Sequence, residues 1–199
     1  MKLIDIVLSL ISGRIIAFLF EDILKELGIN SGLYVFLIVW IFFPLFSLFC
    51  LWISYLIGKK FLFIYQIAKF LLVGAVATII DLKVFEFFNL IISYFVLTSL
   101  LFSKGISFLI ATLLKYWGNK YWAFLKHEKE NIRKEVTQFF FVTVIGMVID
   151  IISFYIFVNI IGPQYGISES FWIKLSVIFA GIVAAFWNFS GYKFWVFKK

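Results

Sequence analysis

Apolar and polar positions do not alternate along this chain; the apolar ones run together in long blocks separated by short polar interruptions. Blocks at roughly 66–92, 98–124, 136–161 and 171–197 each exceed the ~20 residues a helix needs to cross hydrocarbon. A fifth block, 32–57, contains Pro44, where the sequence predicts a kink. The first block, Ile6 to Phe20, is shorter and is interrupted by Gly13 and Arg14 before the acidic Glu21, Asp22 and Glu26. It predicts either a sixth, tilted helix or an interfacial one. "KKFLFIYQIAK" (59–69) reads as an interfacial elbow, and "IGPQYGISES" (161–170) as a turn marked by Gly and Pro.

Composition turns these blocks into a class. The 199 residues are 64% hydrophobic and 15% charged, against about 45–50% apolar and roughly 25% charged in a soluble domain. The excess must face lipid, so the chain is an all-α polytopic membrane protein with five to six membrane helices. Its formal charge of +7 is distributed beside the apolar blocks: Lys59, Lys60 and Lys69 in one loop, Lys120, Lys126, Lys129, Arg133 and Lys134 in another, and Lys193, Lys198 and Lys199 at the C-terminus. That bias predicts a cell-membrane protein with these loops and the C-terminus cytoplasmic, and it requires no nucleic acid. Cys50 is the one cysteine, so no intramolecular disulfide can form. The apolar N-terminal stretch lacks a small-residue cleavage site and is expected to be retained.

The chain repeats itself. "GNKYWAFLK" begins at Gly118 and "GYKFWVFKK" at Gly191, 73 residues apart, with Gly, Lys, Trp, Phe and a final Lys in register. Upstream, "KFLLVGAVATIIDLKVFEFF" (69–88) aligns with "QFFFVTVIGMVIDIISFYIF" (138–157), which places Asp81 over Asp150. The unit is a duplicated transmembrane helical hairpin, residues 66–126 and 135–199, in a four-helix core (61–199) preceded by an extension (1–60). Each copy starts and ends on the basic side, so the repeats are parallel and are expected to be related by a pseudo-twofold axis along the membrane normal.

Helical spacing places the polar residues. Ala111, Lys115, Gly118 and Trp122 share one face, as do Ala184, Asn188, Gly191 and Trp195. Gly74, Ala77, Thr78 and Asp81 form a second stripe, matched by Thr143, Gly146 and Asp150. Small residues let a neighbouring helix approach, so the polar ones face protein or a wet cavity. Asp81 lies about 18 Å beyond Lys69 at ~1.5 Å per residue, and Lys83, Glu86 and Lys104 lie deeper. Lys115 either snorkels to the surface or holds an anion. Lys83, Glu86 and Lys104 read first as a structural ion-pair cluster, the tryptophans first as an interfacial belt, and His127 as solvated. The chain has no phosphate-cradling glycine loop, no nucleophile elbow and no metal-spaced cluster. The expectation is therefore no enzyme, no cofactor and no metal.

The hairpin "KFLLVGAVATIIDL" with "ATLLKYWGNKYWAF", and its copy ending "WNFSGYKFWVF", resembles the GtrA-like family over about residues 66–197. The resemblance implies flipping of a polyprenyl-phosphate-linked sugar, or of the bare polyprenyl phosphate carrier, for cell-surface polysaccharide biosynthesis. It equally implies an alternative, a non-transporting anchor or partner subunit of a membrane glycosyltransferase, because similar helices are fused to dolichol-phosphate sugar synthases. By motif, Asn188, Lys193, Trp195 and Phe197 carry over from the second copy, and Lys120, Trp122 and Phe124 from the first. Lys115 stands where the family pattern has Asn. The substrate-binding set expected from residues and resemblance together is Asp81, Lys115, Asn119, Lys120, Trp122, Asp150, Asn188, Lys193 and Trp195. Besides that lipid-linked ligand and membrane lipids, the partners expected are a glycosyltransferase and further copies of the chain.

Overall fold

The computed structural model describes residues 1–26, 32–92, 99–126, 131–164, 166 and 169–198. These form six α-helices and no strand: α1 (Leu3–Glu26), α2 (Leu33–Gly58), α3 (Leu62–Ile92), α4 (Ser99–Trp117), α5 (Ile132–Tyr155) and α6 (Glu169–Gly191). Three π-helical turns continue α4, α5 and α6, at Gly118–Ala123, Ile156–Ile161 and Tyr192–Val196. Four stretches among the described residues, Leu3–Glu21, Leu37–Gly58, Leu62–Phe88 and Ile132–Ile161, are long and apolar enough to cross a membrane. Large apolar side chains such as Ile38, Leu62, Leu90, Ile160 and Phe186 stand mostly exposed, a surface suited to lipid. The chain is an all-α, multi-pass membrane protein.

It divides into two compact units, 1–125 and 126–199. In the first, α1 packs on α2 and α3, α2 on α3, and α3 on α4. In the second, α5 packs on α6.

Of the two readings of the first block, a tilted spanning helix or an interfacial one, α1 as a continuous helix over Leu3–Glu26 fits the first. The residues that interrupt its apolar run fit a feature of α2. Pro44 lies inside α2 and has no N–H to offer the carbonyl of Trp40, four residues back. Arg14 Nη1 donates to that carbonyl at 3.1 Å, and its guanidinium lies 4.9 Å from the Trp40 ring centre. Gly13 lets the backbones touch at the same place, since a Cβ there would sit 2.5 Å from both the Phe43 oxygen and Pro44 Cα. One turn and more further along, Trp40 Nε1 donates to Glu21 Oε2 at 3.0 Å.

The duplicated hairpins use one seam. A Cβ on Gly118 would lie 2.8 Å from Val73 Cγ1, and a Cβ on Gly191 would lie 2.6 Å from Val142 Cγ1. These are matched positions in the repeat, so the close approach predicted from small residues is present in each copy. The elbow differs from expectation. The turn spans only Lys59 to Phe61, α3 starts at Leu62, and Lys69 is a buried helix residue rather than part of a basic loop.

Candidate functional site

Each copy ends its second helix in a π-turn, which widens the helix by one residue and closes i→i+5 bonds. Phe124 N–H donates to the Asn119 oxygen at 2.8 Å, and Phe197 N–H to the Tyr192 oxygen at 2.7 Å. The residue after each seam glycine lies inside or at the start of this turn and is buried. Asn119 and Tyr192 are both fully buried. Asn119 Nδ2 donates to the Lys115 oxygen at 2.8 Å, while its Oδ1 has no hydrogen-bond partner. The Tyr192 ring stacks on Phe139 with centres 4.3 Å apart, and its hydroxyl lies 2.6 Å from that of Thr143. Trp122 still packs on the seam residue Val73, together with Leu51, as its spacing from Gly118 predicts, whereas Trp195 lies at the surface.

The two tryptophans have different fates. Trp122 is 7% exposed and Trp195 is 48% exposed. In the first unit, α1 brings Asp5 onto α3 and the π-turn. Lys69 Nζ lies 2.6 Å from Asp5 Oδ1, and Trp122 Nε1 donates to the same oxygen at 2.9 Å. The Lys2 backbone N–H donates to Asp5 Oδ2 at 2.9 Å. The Lys69 ammonium also lies 4.2 Å from the Tyr65 ring centre and 5.7 Å from that of Trp122. This ion pair is almost fully buried, so its stability depends on the donors and ring faces gathered around it. In the second unit the end of the hairpin is open. Lys126, Asn131, Lys134, Glu135, Gln138, Trp195 and Val196 line a polar pocket of about 260 Å³. Lys126 Nζ donates there to the Lys198 oxygen at 3.0 Å, and Trp195 meets Phe141 edge-on, with centres 6.0 Å apart.

The mid-helix acids also differ. Ser107 Oγ donates to Asp81 Oδ1 at 2.6 Å, tying α3 to α4. The repeat places Ala180 where the first copy has Ser107. Asp150, half-buried, shows no hydrogen bond or ion pair among the described residues. One turn towards the basic end, Asn188 is buried against Gly146, whose absent side chain makes room for it, and its Oδ1 is unsatisfied.

Of the remaining predicted residues, Lys115 is half-buried in the last turn of α4. Lys120 is fully buried and donates to the Tyr116 hydroxyl at 3.2 Å. Lys193 is half-buried, 5.5 Å from the ring centres of Phe189 and Phe194. Lys83 and Glu86 form the expected ion pair at 2.8 Å; the Lys104 side chain and His127 lie outside the described residues. The sequence reading missed Asp5, Tyr192 and the pocket residues Lys134, Glu135 and Gln138. Asp5 carried a usable signal as the lone acid in the apolar stretch between Lys2 and Arg14. The pocket was reachable by extending the repeat alignment four residues upstream.

The model of the GtrA/DPMS transmembrane domain matches residues 69–197. No curated protein and no solved structure matches the chain.

Proposed function

The chain belongs to the GtrA/DPMS transmembrane family, a membership that links it to polyprenyl-phosphate sugar metabolism, and from that premise we propose that it flips a polyprenyl-phosphate-linked sugar, or the carrier phosphate, across the cytoplasmic membrane. The observation that carries this reading is the pair of acids, Asp81 and Asp150, kept at matched positions of the repeat within long, largely apolar helices. A central Asp costs about 2.5–3.5 kcal/mol to insert, and a helix serving only as an anchor gains nothing from it. A lipid-linked sugar needs cationic and amide donors near the membrane surface and acceptors deeper in. Lys115, Asn119, Lys120, Asn188 and Lys193 supply the first set, and the two acids the second; Trp122 and Trp195 flank the basic ends. The protein acts as a carrier and makes or breaks no covalent bond.

Liposomes holding the purified protein and a labelled polyprenyl-phosphate sugar test this directly. Asp150→Asn is expected to preserve expression and melting temperature, because Asn is nearly isosteric, and to lower the flipping rate about tenfold. Asp81→Asn should lower it less, since Ser107 already engages that carboxylate. A wild-type protein that flips nothing would assign the chain to the rival role of a glycosyltransferase anchor. The orientation has its own check. With Cys50→Ser as background, Lys198→Cys should label from the cytoplasmic side and Gln164→Cys from the opposite side; labelling of both from one face would overturn the hairpin topology.

A further inference from the structure

The buried ion pair of the first unit and the open pocket of the second are built on the same positions of the repeat. Upstream of each hairpin seam the offset is 69 residues, and at its end 73. Tyr65, Lys69 and Trp122, which enclose the Asp5 carboxylate, correspond to Lys134, Gln138 and Trp195, all of which line the pocket. The first copy uses this construction to hold an anion that the chain supplies itself. The second keeps the indole and a cation, the cation having moved by one helical turn from the Lys69 position to Lys134.

The lining specifies more than charge. Lys126 and Lys134 attract an anion, but the buried Glu135 carboxylate beside them disfavours one that fills the whole pocket. Asn131, Glu135 and Gln138 offer hydrogen bonds that suit hydroxyl groups. Trp195 leaves half its surface open, an apolar face with a polar edge. At about 260 Å³ the pocket takes a headgroup and not a prenyl tail. It stands at the start of α5, where the apolar span Ile132–Ile161 begins, so a bound headgroup would sit at the membrane boundary. We propose that this pocket is a receptor site for a glycosyl phosphate headgroup, with the phosphate on Lys134 and Lys126 and the sugar against Trp195, Glu135 and Gln138, and that only the second repeat offers it because Asp5 occupies the equivalent site of the first. The proposal deepens the flipping reading and rests on it for the ligand's lipid tail, but not for the site itself.

The test measures binding, not transport, on the full chain in nanodiscs. A short-chain prenyl phosphoryl hexose is the probe, beside the same prenyl hexoside without phosphate and hexose 1-phosphate without lipid. Lys134→Gln and Trp195→Ala should each weaken binding of the probe about tenfold or more, whereas Lys59→Gln, on the basic turn between α2 and α3, should not. The phosphate-free hexoside should bind weakly to the wild type. Binding of the probe well above hexose 1-phosphate assigns a lipid-borne ligand; equal binding assigns a soluble one, and either keeps the ligand class. To separate lost binding from lost folding, wild-type protein is acetylated with and without the probe. Lys134 should be protected and Lys59 should not. Unchanged affinity in both pocket variants, equal loss in Lys59→Gln, or no protection of Lys134 overturns the site. Flipping that survives both pocket variants would do so while sparing the carrier reading. Probe binding that depends on Lys134, in a protein that flips nothing, would do the reverse.

Discussion

Replacing Lys69 by methionine is expected to destabilise the first unit by about 3–5 kcal/mol, the usual cost of removing one partner from a buried ion pair. The Asp5 carboxylate would keep the Trp122 indole and the Lys2 N–H but lose its counter-charge in a place water does not reach. Replacing both, Asp5→Leu with Lys69→Met, removes the stranded charge together with its partner. The double variant should recover most of the loss, since buried pairs exchanged for apolar residues of similar size are often neutral or better. Denaturant titrations in one detergent, with all four members of the cycle, give the coupling energy. Added salt should change it little, because burial shields the pair from counter-ions. Additive losses would mean that α1 is held by its apolar contacts alone and that the pair contributes nothing net.

The second large effect is at Gly13. A methyl group there would meet the Phe43 carbonyl oxygen and Pro44 Cα at 2.5 Å, and neither is the end of a side chain that can swing away. The helices must part, and overpacking of this kind costs typically 1–3 kcal/mol, more where backbone has to move. Gly74→Ala and Gly181→Ala are the controls, because nothing lies within 4 Å of an added Cβ at either position. Those two should stabilise by up to about 1 kcal/mol through helix propensity. Gly13→Ala should therefore lower the melting temperature while both controls raise it. A rise at Gly13 would mean that α1 and α2 do not touch as described.

These two sites show where sequence reasoning reached and where it stopped. Six apolar blocks were legible because lipid imposes length and composition on any helix that crosses it. The duplication was legible because Gly118 and Gly191, with the Lys, Trp and Phe that follow, keep their phase. The seam was legible too, as small residues at helical spacing, and it appears as Gly118 on Val73 and Gly191 on Val142. The role of Gly13 was not, since the reason for that glycine lies on another helix, at Pro44. Nor was the partnership of Asp5 with Lys69 and Trp122, which joins positions that no local pattern relates. The π-turns escaped for a different cause. An i→i+5 turn leaves no periodic trace in the sequence, and neither the burial of Asn119 and Tyr192 inside it nor the exposure of Trp195 follows from the motif. Motif identity between the repeats thus overstated their likeness, because burial depends on what α1 covers.

The contact between Arg14 and the Trp40 carbonyl has a consequence for folding. Alone in a bilayer, α2 would carry a backbone carbonyl whose helical donor Pro44 has removed, and hydrocarbon offers no water to replace it. Alone in a bilayer, α1 would carry an arginine near its middle, at about 2.5–3.5 kcal/mol. Each helix is apolar enough to span the membrane but carries one polar defect, and each repairs the other's at one point. Separating α1 from α2 within the bilayer is therefore expected to expose both defects at once, so the two helices should enter and leave the folded state as a pair.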